Sequence, residues 1–140
     1  MEFSDVIIPT ILAGVIAQGL KIVIFVFKHK KSFHIKDLIV TGSMPSSHSA
    51  LVLALTVSIA LYEGFNTAFV ISLILALIVV RDAFGVRREA GEEGKMLNRI
   101  IKAARLKLPE EHYALGHTPL EVTVGVIIGV LTAVLAYAIL

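Results

Sequence analysis

The chain has 140 residues, enough for one domain, and 56% of them are hydrophobic, with a mean hydropathy of +0.86. These values exceed those of an ordinary soluble domain. The net charge of +2 is mild, and we expect no nucleic-acid partner. The chain has no cysteine, which excludes disulfides and thiolate metal sites. We therefore predict a single all-α membrane domain over residues 1–140.

Four apolar runs approach the length of about 20 residues that a membrane-spanning helix needs. The predicted helices cover residues 6–27, 48–63, 65–81 and 119–140. The middle two are short and separated only by Glu63 and Gly64, which indicates a tight hairpin of two helices. A soluble protein can bury one such hairpin, but four runs leave too little polar chain to cover them. The sequence thus predicts an integral membrane bundle of four transmembrane helices.

Lysine and arginine are concentrated in two polar segments. Twelve of the 13 lie in residues 28–36 and 81–107, and Lys21 lies towards the basic end of the first helix. Because cytoplasmic loops are enriched in these residues, four spans place both termini outside and both long loops in the cytoplasm. We expect the inner or plasma membrane as the location, with membrane lipids as partners.

The long polar segment at residues 82–117 contains a basic amphipathic pattern. One helical face carries the apolar residues Met96, Leu97, Ile100, Ile101 and Ala104. Another face carries the basic residues Lys95, Arg99 and Lys102. This pattern suits a helix that lies along an anionic inner leaflet. A solvated helix packed on its neighbours is the alternative.

Two helix starts carry polar residues that can do chemistry. In LGHTPLEVTVG, residues 115–125, Thr118 and Glu121 have the spacing of a capping box. Capping does not explain His117, which lies four residues before Glu121, close enough for the carboxylate to hold one ring nitrogen. In PSSHSA, residues 45–50, a serine can cap the second helix, and the N–H groups of a helix N-terminus bind phosphate well.

The predicted topology brings both helix starts to the cytoplasmic face. His48 and His117 then share one level of the membrane with Lys21 and Arg81. Two histidines at two helix starts on one face, with basic residues nearby, favour a functional site over two independent caps.

The two motifs resemble the second and third signatures of the type 2 phosphatidic acid phosphatase superfamily, which includes the vanadium haloperoxidases. The order PSSHSA, then RDAFGVRREAG with LN, then LGHTPLE resembles the divergent branch of that superfamily, small membrane proteins of largely unassigned function. The resemblance covers nearly the whole chain. It implies a metal-independent hydrolase, without a cofactor, that acts on the phosphomonoester or pyrophosphate of a lipid.

The resemblance also implies roles for individual residues. His117 would attack phosphorus to form a phosphohistidine, Glu121 would orient it, and His48 would be the general acid and then the general base. Imidazoles that titrate near neutral pH suit both nucleophilic attack and proton transfer. Backbone N–H groups around Ser46 and Ser47 would hold the phosphate oxygens.

The chain departs from the superfamily in the residues that would bind phosphate. The Ser-Arg pair before the third-motif histidine and the Lys-x6-Arg-Pro motif are absent, Ser47 stands where glycine is usual, and Glu121 stands where aspartate is usual. The cations must therefore come from elsewhere, and our candidates are Lys21, Arg81, Arg87 and Arg88.

Three of these basic residues could instead have a purely structural role. Arg81 could pair with Asp82 at a helix end, and Arg87 and Arg88 could simply determine topology. Lys21 is the best candidate, because an ammonium group inside an apolar run is costly unless it reaches the surface or meets an anion.

Two other functions stay open. A non-catalytic protein that binds or carries a lipid phosphate would keep the anion pocket without turnover. A metal-dependent hydrolase would use His48, His117 and Glu121 as ligands, although no HExxH spacing supports it.

Gly125 and Gly129 form a GxxxG step that can pack within the chain, which we favour, or against a second copy in a homo-oligomer.

The predicted topology can be tested by cysteine labelling, since the chain has no cysteine of its own. A cysteine placed at Lys31 or Lys95 should be protected from a membrane-impermeant reagent applied to intact cells. A cysteine at Glu63 should react. The opposite labelling pattern would refute the orientation.

Overall fold

The computed structural model describes residues 3–29, 44–109 and 116–139. These residues form five α-helices and no strand, which confirms the all-α prediction. The helices are α1 (Phe3–His29), α2 (Ser47–Glu63), α3 (Thr67–Phe84), α4 (Val86–Ala103) and α5 (Pro119–Ile139). Most of the predicted basic loop at 28–36 lies outside the described residues, as do residues 110–115 of the polar segment.

Three helical stretches are long and apolar enough to cross a membrane. They are Ser4–Phe27, Thr67–Ala103 and Pro119–Ile139. The helix α2 is also apolar but has only 17 residues. These helices support an integral membrane protein, as the composition predicts.

The short helix α2 lies in the middle of the bundle, in contact with α1, α3 and α5. Its buried residues are mostly small or polar: Ser49, Ala50, Val52, Ala54, Thr56, Ser58 and Ile59. By contrast, only Ser72, Ala76 and Ala83 of α3 are buried. Small side chains allow neighbouring helix backbones to approach closely inside a membrane. α2 is therefore surrounded by other helices, whereas its neighbours expose many large apolar side chains on the outside of the bundle.

Alanine and glycine make the close contacts between α2 and its neighbours. A core cluster consists of Ala13, Ala17, Ala50, Ala54 and Ala133, all with no exposed surface. The two glycines of the GxxxG step lie directly on the backbone of α2. A Cβ atom at Gly125 would lie 2.3 Å from the Ser46 carbonyl oxygen, and one at Gly129 would lie 2.3 Å from that of Ala50. The step is thus used for packing within the chain.

The hairpin between α2 and α3 is set by local signals. Gly64 ends α2 with a φ of +77°, a left-handed conformation that glycine adopts without a steric cost. Asn66 then caps α3, because its side-chain oxygen accepts from the Phe69 N–H at 2.9 Å. Its amide nitrogen donates to Glu63 at 2.8 Å. The predicted tight hairpin is therefore present.

The helix α3 continues to Phe84, three residues beyond the predicted end, and only Gly85 separates it from α4. The Ala83 carbonyl accepts the backbone N–H of His117 at 2.9 Å. In an uninterrupted helix, that carbonyl would accept from Arg87. The residue before α5 thus forms a hydrogen bond with the Ala83 carbonyl, close to the point where α3 ends and α4 begins.

The contact between Gly125 and Ser46 should be sensitive to a single methyl group. We expect Gly125→Ala to destabilise the protein by about 1–3 kcal/mol, because backbone atoms cannot yield as a flexible side chain can. Gly19→Ala in α1 is the matched control, since no described residue of a neighbouring helix lies within 4 Å of where its Cβ atom would be. Thermal unfolding in detergent measures both variants. Equal melting temperatures for the two would contradict the packing.

Candidate active site

Backbone hydrogen bonds join the helix starts that carry the two motifs. The Ser46 N–H donates to the Glu121 carbonyl oxygen at 3.1 Å, linking the start of α2 to the first turn of α5. The His117 N–H donates to the Ala83 carbonyl oxygen at 2.9 Å, linking the start of α5 to the end of α3. PSSHSA, LGHTPLE and the end of α3 therefore meet at one end of the bundle.

The predicted capping box at the start of α5 is present. The Thr118 N–H donates to Oε2 of Glu121 at 2.8 Å, and the Glu121 N–H donates to Oγ1 of Thr118 at 3.3 Å. The two hydrogen bonds satisfy N–H groups that a helix start leaves without an intrahelical partner. They also fix the position of the Glu121 carboxylate.

The same carboxylate oxygen lies beside the predicted nucleophile. Oε2 of Glu121 is 3.5 Å from Nδ1 of His117. This distance allows an ion pair but is long for a hydrogen bond, and Nδ1 is buried without a hydrogen-bond partner among the described residues. The sequence spacing thus identified a real neighbour, and one carboxylate oxygen serves both the cap and the histidine.

His117 is buried, with 7% of its surface exposed. Burial lowers the pKa of His117 below its ordinary value of 6.5, and the negative charge of Glu121 opposes that shift. Positive charge on Lys21 and His48 lowers the pKa further. At neutral pH the imidazole is therefore uncharged, which is the form that can act as a nucleophile.

His48 and His117 line one small cleft. Its walls are formed by Ser46, His48, Val79, Asp82, Ala83, Arg87 and His117. His48 is exposed and interacts electrostatically with His117. The cleft therefore joins both predicted histidines with a carboxylate and a guanidinium group from the end of α3 and the start of α4.

The start of α2 contributes Ser46 and His48 to the cleft. Ser46 is completely buried, and its hydroxyl oxygen accepts from Oγ of Ser49 at 2.9 Å and from the Ser49 N–H at 3.4 Å. The Ser46 side chain is therefore a helix cap. Ser47 is half-buried and does not line the cleft. The N–H groups of Ser46 and Ser49 already donate within the protein, so an anion at this helix start would bind the N–H groups of Ser47 and His48.

The four candidate cations have different surroundings. Arg87 lines the cleft and forms an ion pair with Asp82. Arg81 is exposed, and its guanidinium carbon lies 5.6 Å from the centre of the Phe84 ring, a cation–π contact outside the cleft. The alternative pairing of Arg81 with Asp82 is not observed, because Asp82 pairs with Arg87.

The remaining two candidates do not line the cleft either. Arg88 is exposed, and its backbone packs so closely on Gly116 that a Cβ there would lie 2.3 Å from the Arg88 nitrogen. Lys21 is buried, with 7% exposed, and interacts electrostatically with Glu121 and His117. Lys21 thus belongs to the charge environment of the histidine.

The sequence did not indicate that Val79, Asp82 and Ala83 line the cleft. The available signal was the position of Asp82, a carboxylate at the end of an apolar run and inside the quoted segment RDAFGVRREAG.

Among the described residues, no three His, Asp or Glu side chains are grouped so that they could hold a metal ion. The alternative of a metal site at His48, His117 and Glu121 gains no support from this geometry.

The fold and the cleft define a helical membrane protein with two histidines at adjoining helix starts. The chain matches the model of the Divergent PAP2 family over residues 3–132 and belongs to that family. It is also 36% identical to YuiD, an uncharacterized membrane protein of Bacillus subtilis (strain 168), over 152 aligned residues that cover 94% of this chain and 93% of the relative. No solved structure matches the chain. The resemblance seen in the motifs is confirmed.

The ion pair between Asp82 and Arg87 gives a direct test of the cleft. Asp82→Asn should strengthen the binding of inorganic phosphate or vanadate, because it removes a negative charge and releases the guanidinium of Arg87. We expect the dissociation constant to fall by about 5- to 10-fold, equivalent to roughly 1–1.4 kcal/mol. Titration calorimetry in detergent measures it.

The control is Glu92→Gln, which removes a carboxylate that faces Lys95 at 4.0 Å, outside the cleft. This variant should bind the anion as the parent does. The double variant Asp82→Asn, Arg87→Gln should lose the gain. Weaker binding in Asp82→Asn would show that the carboxylate positions Arg87 for the anion.

Proposed function

We propose that this protein is a membrane-embedded phosphatase that hydrolyses the phosphomonoester or pyrophosphate of a lipid through a phosphohistidine on His117. The observation that carries the proposal is that His48 and His117 line one cleft, with the Glu121 carboxylate 3.5 Å from Nδ1 of His117. Membership of the Divergent PAP2 family supports the reaction class.

The proposed topology has four transmembrane helices: the three long apolar stretches and, in addition, the shorter helix α2. The segments rich in Lys and Arg are then cytoplasmic, and both termini are outside. The cleft lies at the end of the bundle where α3 meets α4, at the start of the basic stretch at 81–107. The phosphate of a lipid in the cytoplasmic leaflet would reach the cleft from the membrane surface.

In the first chemical step, Nε2 of His117 attacks phosphorus, and the bond to the leaving oxygen breaks. Glu121 stabilises the positive charge that develops on the imidazole ring, and His48 donates a proton to the leaving oxygen. The N–H groups at the start of α2 and the Arg87 guanidinium hold the phosphate oxygens, where negative charge accumulates.

In the second step, His48 is the general base. It takes a proton from a water molecule whose oxygen attacks the phosphohistidine. The P–N bond breaks, inorganic phosphate leaves, and His117 returns to its neutral form. No metal ion is needed, because His117 supplies the nucleophile of the first step and His48 activates the water.

A non-catalytic phosphate-binding or carrier function is the second candidate. The observation that favours it is the carboxylate of Asp82 inside the cleft, which neutralises the nearby Arg87. A carrier needs an anion pocket but no transition-state stabilisation. Incubation with a radiolabelled lipid phosphate distinguishes the two functions, because only the phosphatase leaves acid-labile phosphate on His117.

The test of the chemistry centres on Glu121. Phosphate release from a panel of lipid phosphates should fall by about 10²- to 10⁴-fold in Glu121→Gln, as happens when an orienting carboxylate is removed from other histidine-dependent enzymes. Glutamine also completes a capping box, so the start of α5 should be retained, and the loss of the negative charge near the buried Lys21 should appear separately as a lower melting temperature. The activity of Glu121→Asp, which has the residue usual in the wider superfamily but a shorter reach, should fall between those of the parent and Glu121→Gln.

The pH profile separates positioning from capping. Glu121 raises the pKa of His117, so Glu121→Gln lowers it further and keeps the imidazole neutral to lower pH. The acid limb of kcat/KM, which we expect below pH 6.5 in the parent, should therefore move to lower pH in the variant. An unmoved limb would mean that Glu121 acts only as a cap. Parental activity in His117→Ala would refute the nucleophile.

A further inference from the structure

The second half of α4 and the turn after it form a distinct segment of the chain. Residues 95–108, which we call the basic segment, contain five Lys or Arg residues and no Asp or Glu. The first half of α4 contains three acidic residues, Glu89, Glu92 and Glu93. The charged residues of the basic segment are therefore all positive, and Lys95 at its start faces the Glu92 carboxylate at 4.0 Å.

Large apolar side chains of the basic segment are exposed. Met96 is 64% exposed, Leu97 47% and Ile100 52%. Ile101, by contrast, is buried, at 7% exposed. The spacing of Met96, Leu97 and Ile100 puts them on one side of the helix, with Lys95 and Arg99 on another. This stripe thus faces away from the packed side of α4.

The short connection to α3 limits how far the basic segment can lie from the membrane-spanning part of the chain. α4 follows the membrane-spanning α3 after a single residue, Gly85. The helix is interrupted where the Ala83 carbonyl accepts from His117. An 18-residue helix is about 27 Å long, so its second half remains within one helix length of the membrane surface.

We propose that the basic segment binds a bilayer surface rich in anionic phospholipid. Met96, Leu97 and Ile100 insert between the acyl chains, and Lys95 and Arg99 contact the lipid phosphates. The charge of the segment favours this occupant, since basic residues near a surface are attracted to anionic headgroups and an exposed apolar stripe gains from partial insertion. The proposal does not depend on the protein being a phosphatase.

The experiment uses the full chain in nanodiscs with a fluorophore on Met96→Cys. The chain has no native cysteine, and Met96 is exposed, so the label has a single site and does not disturb the core. The discs contain phosphatidylcholine alone or mixed with phosphatidylglycerol, each with a lipid that quenches the fluorophore from the acyl chains. We expect quenching to rise several-fold with phosphatidylglycerol and to fall back in high salt.

Two controls isolate the basic segment. A label on Glu93→Cys, an exposed position in the acidic half of α4, should stay accessible to an aqueous quencher in both kinds of disc. The Lys95→Gln, Arg99→Gln variant should lose the response to phosphatidylglycerol at the Met96 label. Its unaltered melting temperature would show that the fold is retained.

Three results would overturn the proposal. The label at Met96 could be accessible to water in both kinds of disc, which would mean that the segment stays in solvent. It could be quenched equally in both, which would exclude recognition of anionic headgroups. It could be shielded from both the aqueous and the lipid quencher, which would indicate a protein contact, such as a second copy.

Discussion

The site depends on the close backbone contact between α2 and α5. Gly125 lies so near the Ser46 carbonyl that no side chain fits between them, and the Ser46 N–H donates to the Glu121 carbonyl. Because these contacts involve main-chain atoms, they hold the two helix starts with little freedom. The distances between His48, His117 and the first turn of α2 follow from this contact, since each lies within a few residues of it.

Glu121 shows how few residues build the site. Its carbonyl accepts from Ser46, its carboxylate completes the capping box with Thr118, and the same carboxylate oxygen lies next to Nδ1 of His117. The cap therefore fixes the carboxylate before any substrate is present. Such pre-organisation is useful in catalysis, because no binding energy is then needed to bring the group into place.

The parts of the fold and the site that depend on neighbouring residues were accessible from the sequence. The apolar runs are continuous stretches of sequence, and the hairpin at Gly64, the capping box and the pairing of His117 with Glu121 depend on residues no more than a few positions apart. The lining of the cleft could not be predicted in this way, because it brings Asp82 of α3 next to His48 and His117, each more than 30 residues away in the sequence. Lys21 was a good indication of a polar environment, but only the packing of α1 identifies Glu121 and His117 as its electrostatic partners.

The composition of α2 has a consequence for how the protein enters the membrane. With 17 residues, and with serine and threonine among its buried positions, α2 has a weaker affinity for the hydrocarbon interior than α3 or α5. It is joined to the strongly apolar α3 by a turn of three residues, from Gly64 to Asn66. In the proposed topology, α2 and α3 would therefore be inserted together as one hairpin. The proposed phosphate-binding end of α2 would then be completed only when α5 has also been inserted, because α5 supplies His117 and Glu121.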